Sequence, residues 1–229
     1  MIRYFVYFAS TLVISAVLIP LIIRMSNRHN LHDSVDKRKT HTGKISRLGG
    51  LAVFAAYFPF FTYVCFTHPS IPCNKYLLVG ATLLAFLTGF VDDLRRVPAR
   101  WKLLAQIAVA VLVVASGLSI NSLKLSPYDG LQFGYLAYPI TVVWIIAFMN
   151  AVNLIDGMDG LSTGLVFIAN VFVFIVSLLS GNTLVASLSA VLAGSILGFF
   201  IFNFPPAKIF LGDGGAYFMD TGNNDVRTE

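Results

Sequence analysis

The stretch Trp144-Ile145-Ile146-Ala147-Phe148-Met149-Asn150-Ala151-Val152-Asn153-Leu154-Ile155-Asp156-Gly157-Met158-Asp159-Gly160 decides how this chain is read. It starts inside an apolar run, Tyr135 to Val152, long enough to cross ~30 Å of hydrocarbon as a helix. The run then ends in two amides and two carboxylates with no Lys or Arg among them. A carboxylate near hydrocarbon costs roughly 3 kcal/mol unless it faces water, a partner or a metal. The polar residues recur at every third position, and on an ideal helix such steps drift by about 60° each, leaving Asn150 and Asp159 on opposite sides. Gly157 and Gly160 predict that the helix breaks instead, so that Asn153, Asp156 and Asp159 line one wet pocket. Irregular backbone at membrane depth is tolerated only where it is buried or borders such a cavity. A plain turn between helices needs one or two of these residues; the surplus favours a cation site.

Six further apolar runs surround this one: Tyr4 to Ile23, Leu48 to Thr67, Leu77 to Val91, Leu103 to Ile120, Ser162 to Leu179 and Leu184 to Phe204. The expected fold is all-α, a polytopic membrane protein of about seven transmembrane helices. The first run is too long for a typical signal h-region and reads as a retained anchor. The short third run is expected to extend into Asp92 and Asp93 or to thin the bilayer locally. Composition agrees: 57% hydrophobic against 12% charged residues and a mean hydropathy of +0.78 exclude an ordinary soluble enzyme and a disordered chain.

The net charge of +5 could suit a nucleic-acid binder, but cytoplasmic loops alone produce such a bias. The loop from Arg24 to Arg47 carries seven Lys and Arg, that from Asp92 to Lys102 four, and the tail after Phe204 two. Alternate loops hold only Arg3, Lys75 and Lys124. This places the N-terminus outside and the C-terminus in the cytoplasm, with membrane lipids and no nucleic acid as surroundings. Cys65 and Cys73 offer no disulfide framework.

Three more groups fall on the same cytoplasmic side. In Val91-Asp92-Asp93-Leu94-Arg95-Arg96 the adjacent carboxylates project about 100° apart on a helix. They read either as a helix end with Asp92 paired to Arg96 or as a proton-accepting, metal- or phosphate-handling pair. In Pro205-Pro206-Ala207-Lys208-Ile209-Phe210-Leu211-Gly212-Asp213-Gly214-Gly215, the glycines would let amides approach a phosphate while Asp213 ligates a hard metal; a tight turn is the alternative. The basic loop Asp36-Lys37-Arg38-Lys39-Thr40-His41-Thr42-Gly43-Lys44-Ile45-Ser46-Arg47-Leu48-Gly49-Gly50 suits headgroups or a polyphosphate. With no phosphate loop, dinucleotide fingerprint, nucleophile elbow or thiol zinc pattern, this inventory suits magnesium-assisted phosphoryl transfer.

Taken in chain order, these four motifs resemble the polyprenyl-phosphate N-acetylhexosamine-1-phosphate transferases, glycosyltransferase family 4, over nearly the whole chain to about Phe218. Arg38-Lys39-x-His41-x-Gly43-x-Ile45 followed by Gly49-Gly50 resembles the branch using UDP-N-acetylglucosamine more than that using UDP-N-acetylmuramoyl-pentapeptide. The resemblance implies transfer of N-acetylhexosamine-1-phosphate from a UDP-sugar to undecaprenyl phosphate with release of UMP. That would be the first membrane step of an O-antigen or teichoic-acid type polysaccharide, in a bacterial cytoplasmic membrane, by a protein that could be a homodimer. It further implies that Asn153 and Asp213 hold Mg2+, or Mn2+ in its place. Asp92 and Asp93 would deprotonate or orient the lipid phosphate, Asp159 and Asp156 would lie near the uridine, and Arg38, Lys39 and His41 would serve an anionic substrate's entrance.

Two departures stand out. Gly215-Ala216 replaces the usual Gly-Ser, removing a hydroxyl, and Tyr217-Phe218-Met219 runs into a polar tail where another membrane helix is expected. The expected organisation is a single transferase domain over 1–218, incomplete at its C-terminus, with an atypical tail over 219–229 and low or no activity. A cation-coupled transporter is the rival from another class. It predicts acids spread across the bilayer depth rather than gathered at one face.

Overall fold

The computed structural model describes residues 1–29, 46–69, 71, 73–95, 97–126, 129–156 and 159–223; of residues 29, 124–126, 129, 213, 218 and 220–223 it describes the backbone. Each apolar run becomes a helix, because a backbone without water must satisfy its hydrogen bonds internally. The helices are α1 (Ile2–His29), α2 (Gly49–Thr67), α3 (Lys75–Arg95), α4 (Ala99–Ala115), α5 (Ala137–Ile155), α6 (Leu161–Leu179), α7 (Thr183–Asn203) and α8 (Gly212–Asn223). Six of them, α1, α2, α3, α5 with the turn before it, α6 and α7, are long and apolar enough to cross a membrane. The protein is therefore an all-α, multi-pass membrane protein.

Three expectations need correction. The fourth run forms a helix that starts at Ala99 and stops at Ala115, where Ser116 and a left-handed Gly117 (φ 108°) end it. At 17 residues, with Arg100 and Lys102 in its first turns, α4 is the shorter neighbour of α3 and runs antiparallel along it, Lys102 meeting Asp92 at one end and Ser116 meeting Asn74 at the other. Between α4 and α5 the chain forms an antiparallel hairpin, β1 (Ser122–Ser126) and β2 (Asp129–Gln132), which the helix-length patterning did not reveal. The alternative of a tight turn at Gly212-Asp213-Gly214-Gly215 gives way to a helix that starts at Gly212, and α8 continues through Asn223.

The third helix does reach through Asp92 and Asp93, as its short apolar run implied. The break in the deciding stretch is also present: α5 ends at Ile155, and Gly160, at φ 69°, starts α6.

The core gathers around α7, which packs against α1, α6 and α2, while α8 is seated among α2, α3 and α5. Tyr57, Phe61, Phe199 and Tyr217 are its largest buried side chains. Links between neighbours sort into two ends. At one, His68 beyond α2 meets Thr183 at the start of α7, and the Asn74 amide before α3 donates to the Ser116 carbonyl after α4. At the other lie the ends of α3, α5 and α7 and the starts of α2, α4, α6 and α8.

Candidate active site

The site is built around the first turn of α8. Gly212 adopts φ 76°, and an added Cβ would stand 2.2 Å from the Arg47 carbonyl, so only glycine lets the chain turn there. Leading into it, Ile209 pairs in parallel with Ser46. Phe210 N donates to Ser46 O (2.8 Å), and the Gly49 and Gly50 amides donate to Phe210 O (2.9 Å) and Leu211 O (2.6 Å). The Gly-Gly pair of the first loop thereby fastens the start of α2 to the start of α8.

Two carboxylates from distant helices cap this turn. Asp93 Oδ2 of α3 accepts from the Gly214 amide at 2.9 Å, and Asp156 Oδ2, just after α5, accepts from the Gly212 amide at 3.2 Å. Both complement the unpaired donors and the positive end of a helix N-terminus. Asp156 is steadied from its other oxygen by the Ser162 hydroxyl (2.6 Å). The Gly212 and Gly214 amides, expected to face a phosphate, are here taken by protein carboxylates. Asp213 lies in this turn by its backbone.

Asp92 and Asp93 diverge, as neighbours on a helix must. Asp92, 9% exposed, accepts from the Val97 amide (2.6 Å) and pairs with Lys102 Nζ of α4 at 2.5 Å. The alternative partner Arg96 lies outside the described residues; α3 ends at Arg95 and the chain folds back onto α4, which brings Lys102 to the carboxylate. Such a pair, half withdrawn from water, is held more tightly than a surface ion pair.

Asp159 takes a different partner from Asp156: its Oδ2 accepts from the Ala207 amide at 3.1 Å. Next to Asp159 in the chain, Gly160 meets Asn203, 2% exposed at the end of α7. Its Oδ1 accepts from the Gly160 amide (3.1 Å) and the Thr163 hydroxyl (2.9 Å), and its Nδ2 donates to the Ile209 carbonyl (2.9 Å). Asn153 carries a buried Nδ2 with no hydrogen-bond partner. Among the described residues no three His, Cys, Asp or Glu side chains are grouped closely enough to hold a metal by themselves. Arg38, Lys39 and His41 lie outside the described residues.

The structure thus brings Asp93, Asp156 and the backbone of Asp213 to one helix start, with Asp92 and Asp159 held on flanking elements. Sequence reading missed Lys102, which it counted only as loop charge, and Asn203, which it left inside the apolar run Leu184 to Phe204. The usable signals were Lys102 ten residues after Asp92 and an amide at the apolar end of α7.

The family model described as glycosyl transferase family 4 matches residues 76–221. A probable undecaprenyl-phosphate N-acetylglucosaminyl 1-phosphate transferase of Bacillus subtilis is 36% identical over 96% of this chain and 61% of its own length. Phospho-N-acetylmuramoyl-pentapeptide-transferases of Staphylococcus carnosus and Halalkalibacterium halodurans are 31% and 29% identical, each over 91% of this chain and over 70% and 68% of their own. The chain spans about three-fifths of the length of the Bacillus relative.

Proposed function

The chain belongs to glycosyl transferase family 4, and from that premise we propose that it transfers an N-acetylhexosamine-1-phosphate from a UDP-sugar to undecaprenyl phosphate, releasing UMP. N-acetylglucosamine is the favoured sugar, since identity is 36% to the N-acetylglucosaminyl relative against 31% and 29% to the two muramoyl-pentapeptide relatives. One observation carries the reading: Asp93 and Asp156, from separate helices, converge on the first turn of α8, which bears Asp213. A purely structural cap would need one carboxylate; two on a turn whose backbone also carries Asp213 suit a divalent ion.

Mg2+ fits this donor set on the chemistry of its atoms. The candidates are hard oxygens, and the orphaned buried amide of Asn153, whose oxygen and nitrogen exchange by a simple flip, is the kind of group a ligand would satisfy. Asn153 and Asp213 would hold the ion, with Asp93 and Asp156 fixing the turn beneath it. Bound there, Mg2+ would neutralise charge on the sugar nucleotide's diphosphate.

The chain's own groups would do the rest. A phosphate monoester with a second pKa near ~6 is largely dianionic at neutral pH, so the acceptor needs orientation more than deprotonation. Asp93 would orient it, and Lys102, opposite Asp92, would supply positive charge. Attack on the β-phosphorus would form the lipid diphosphate bond and break the bond to UMP. Asp159 with the loop at Ala207 would border the uridine, and Arg38, Lys39 and His41 would draw the anionic substrate in. With the basic loops of this end in the cytoplasm, the reaction would be the first membrane step of an envelope polysaccharide in a bacterial inner membrane. Acids gathered at one end oppose the transporter reading, which needs them across the bilayer.

The test uses membranes containing the chain, labelled UDP-N-acetylglucosamine, undecaprenyl phosphate and Mg2+. Label is expected in the lipid fraction, lost with chelator and with Asp213→Asn. Undiminished transfer without metal would refute the mechanism, and no transfer with any UDP-N-acetylhexosamine would refute the activity of this chain.

A further inference from the structure

One polar pair beside the site joins a buried amide of α4 to an exposed amide of α5. Gln106 lies one turn after Lys102 on α4 and is 2% exposed. Asn150 lies one turn before Asn153 on α5. Their amides exchange two hydrogen bonds: Asn150 Nδ2 donates to Gln106 Oε1 at 3.0 Å and Gln106 Nε2 donates to Asn150 Oδ1 at 3.3 Å. The second proton of Asn150 Nδ2 goes to the Ile146 carbonyl at 2.7 Å.

That last contact fixes the orientation of both groups. A main-chain carbonyl only accepts, so the Asn150 atom beside Ile146 must be nitrogen, and the Gln106 atom facing that nitrogen must then be oxygen. The pair cannot flip without placing two acceptors against each other. Shifting α4 along α5 would strand the buried Gln106 amide without a partner.

Resting on the transferase reading, we propose that Gln106 is a positioning residue: locked to Asn150, it sets α4 in register on α5 and so holds the Lys102 ammonium against Asp92. The pair sits between the two functional turns. Lys102 is four residues before Gln106 and Asn153 is three after Asn150, so a slip at the amides displaces both toward or away from α8. Asp92 also accepts from Val97 N, and its ion-pair partner Lys102 is carried by α4.

The test has two readouts. In the purified full chain, acylation of Lys102 by an amine-selective reagent is followed relative to Lys208, which is exposed and on another element. Gln106→Met keeps the volume and deletes the amide. It is expected to raise Lys102 modification relative to Lys208 severalfold and to lower kcat roughly tenfold to a hundredfold at a nearly unchanged UDP-sugar KM, as a misplaced reacting group does. Gln106→Asn, which withdraws the amide by one methylene, should behave likewise, and the exchange Gln106→Asn with Asn150→Gln should restore both readouts to near wild type. Unchanged Lys102 labelling in Gln106→Met, or an exchange variant as impaired as Gln106→Asn alone, would overturn the proposal. If the wild-type chain transfers no sugar phosphate, the transferase reading fails, and the labelling ratio still decides the role of Gln106.

Discussion

Gly50 leaves no room for a single methyl. A Cβ there would stand 2.3 Å from the Gly215 nitrogen and 2.5 Å from its Cα, both backbone atoms that cannot rotate away. Gly50→Ala is therefore expected to push α2 off the first turn of α8, costing about 2 kcal/mol or more, as overpacking does. The readout is an unfolding midpoint in detergent that falls, together with transferase activity lost beyond what the folded fraction accounts for. The neighbouring carboxylates make the complementary point. Asp92 and Asp93 are adjacent in the chain yet serve different helices, one facing a lysine and the other a pair of glycines. A substitution at one is not a substitute for the other.

At the scale of elements, α1 and α7 meet through small residues. A Cβ on Gly194 would lie 2.2 Å from the Phe8 carbonyl, and one on Gly198 would lie 2.5 Å from that of Leu12. Close backbones let the Thr11 hydroxyl approach the Val191 carbonyl at 3.0 Å, a polar tie of the kind that joins helices without help from water. Gly194→Ala should weaken this interface by about 1–3 kcal/mol, seen as unfolding at a lower SDS fraction in mixed micelles. At the far end, His68 Nε2 meets Thr183 Oγ1 at 3.0 Å, linking the end of α2 to the start of α7. Partial burial, and then the Arg3 charge, push the imidazole below its ordinary value of 6.5. The folded state thus prefers neutral His68, and its contribution is present above 6.5 and is lost as the pH falls through 6.5 toward the lowered value. Stability is expected to drop on acidification over that window, and His68→Gln should flatten that part of the pH profile; an unaltered profile would exclude His68 as its source.

For the whole molecule, the two ends of the bundle differ in chemistry. One has the hairpin and the His68 contact; the other has the acids, Lys102 and the basic loops. If the second end is cytoplasmic, cysteines placed at exposed Asn121 and Lys208 must differ in access, with Cys65 and Cys73 first changed to serine. An impermeant maleimide on intact cells should modify Asn121→Cys and reach Lys208→Cys only after permeabilisation. The reverse pattern would move the site to the outer face and away from any cytosolic nucleotide.

Much of the architecture was legible in the chain because a membrane helix is specified locally: apolarity over about 20 residues suffices, and no distant partner is consulted. The break between α5 and α6 was legible for the same reason, since Gly157 and Gly160 act on their own turn. The hairpin was not, because Ser122-Leu123-Lys124-Leu125-Ser126 is too short an alternation to stand out beside helix-length runs. The candidate acids could be named from their motifs, but their partners could not. Asp93 meets Gly214 across 121 residues and Asp156 meets Gly212 across 56, separations no periodicity records. Only the packing of α8 among α2, α3 and α5 determined that the glycine amides cap carboxylates, that Asp92 faces Lys102 and that Asn203 ties Gly160 to Ile209. Hydrogen-bond partners are chosen by proximity in space, and proximity belongs to the assembled bundle.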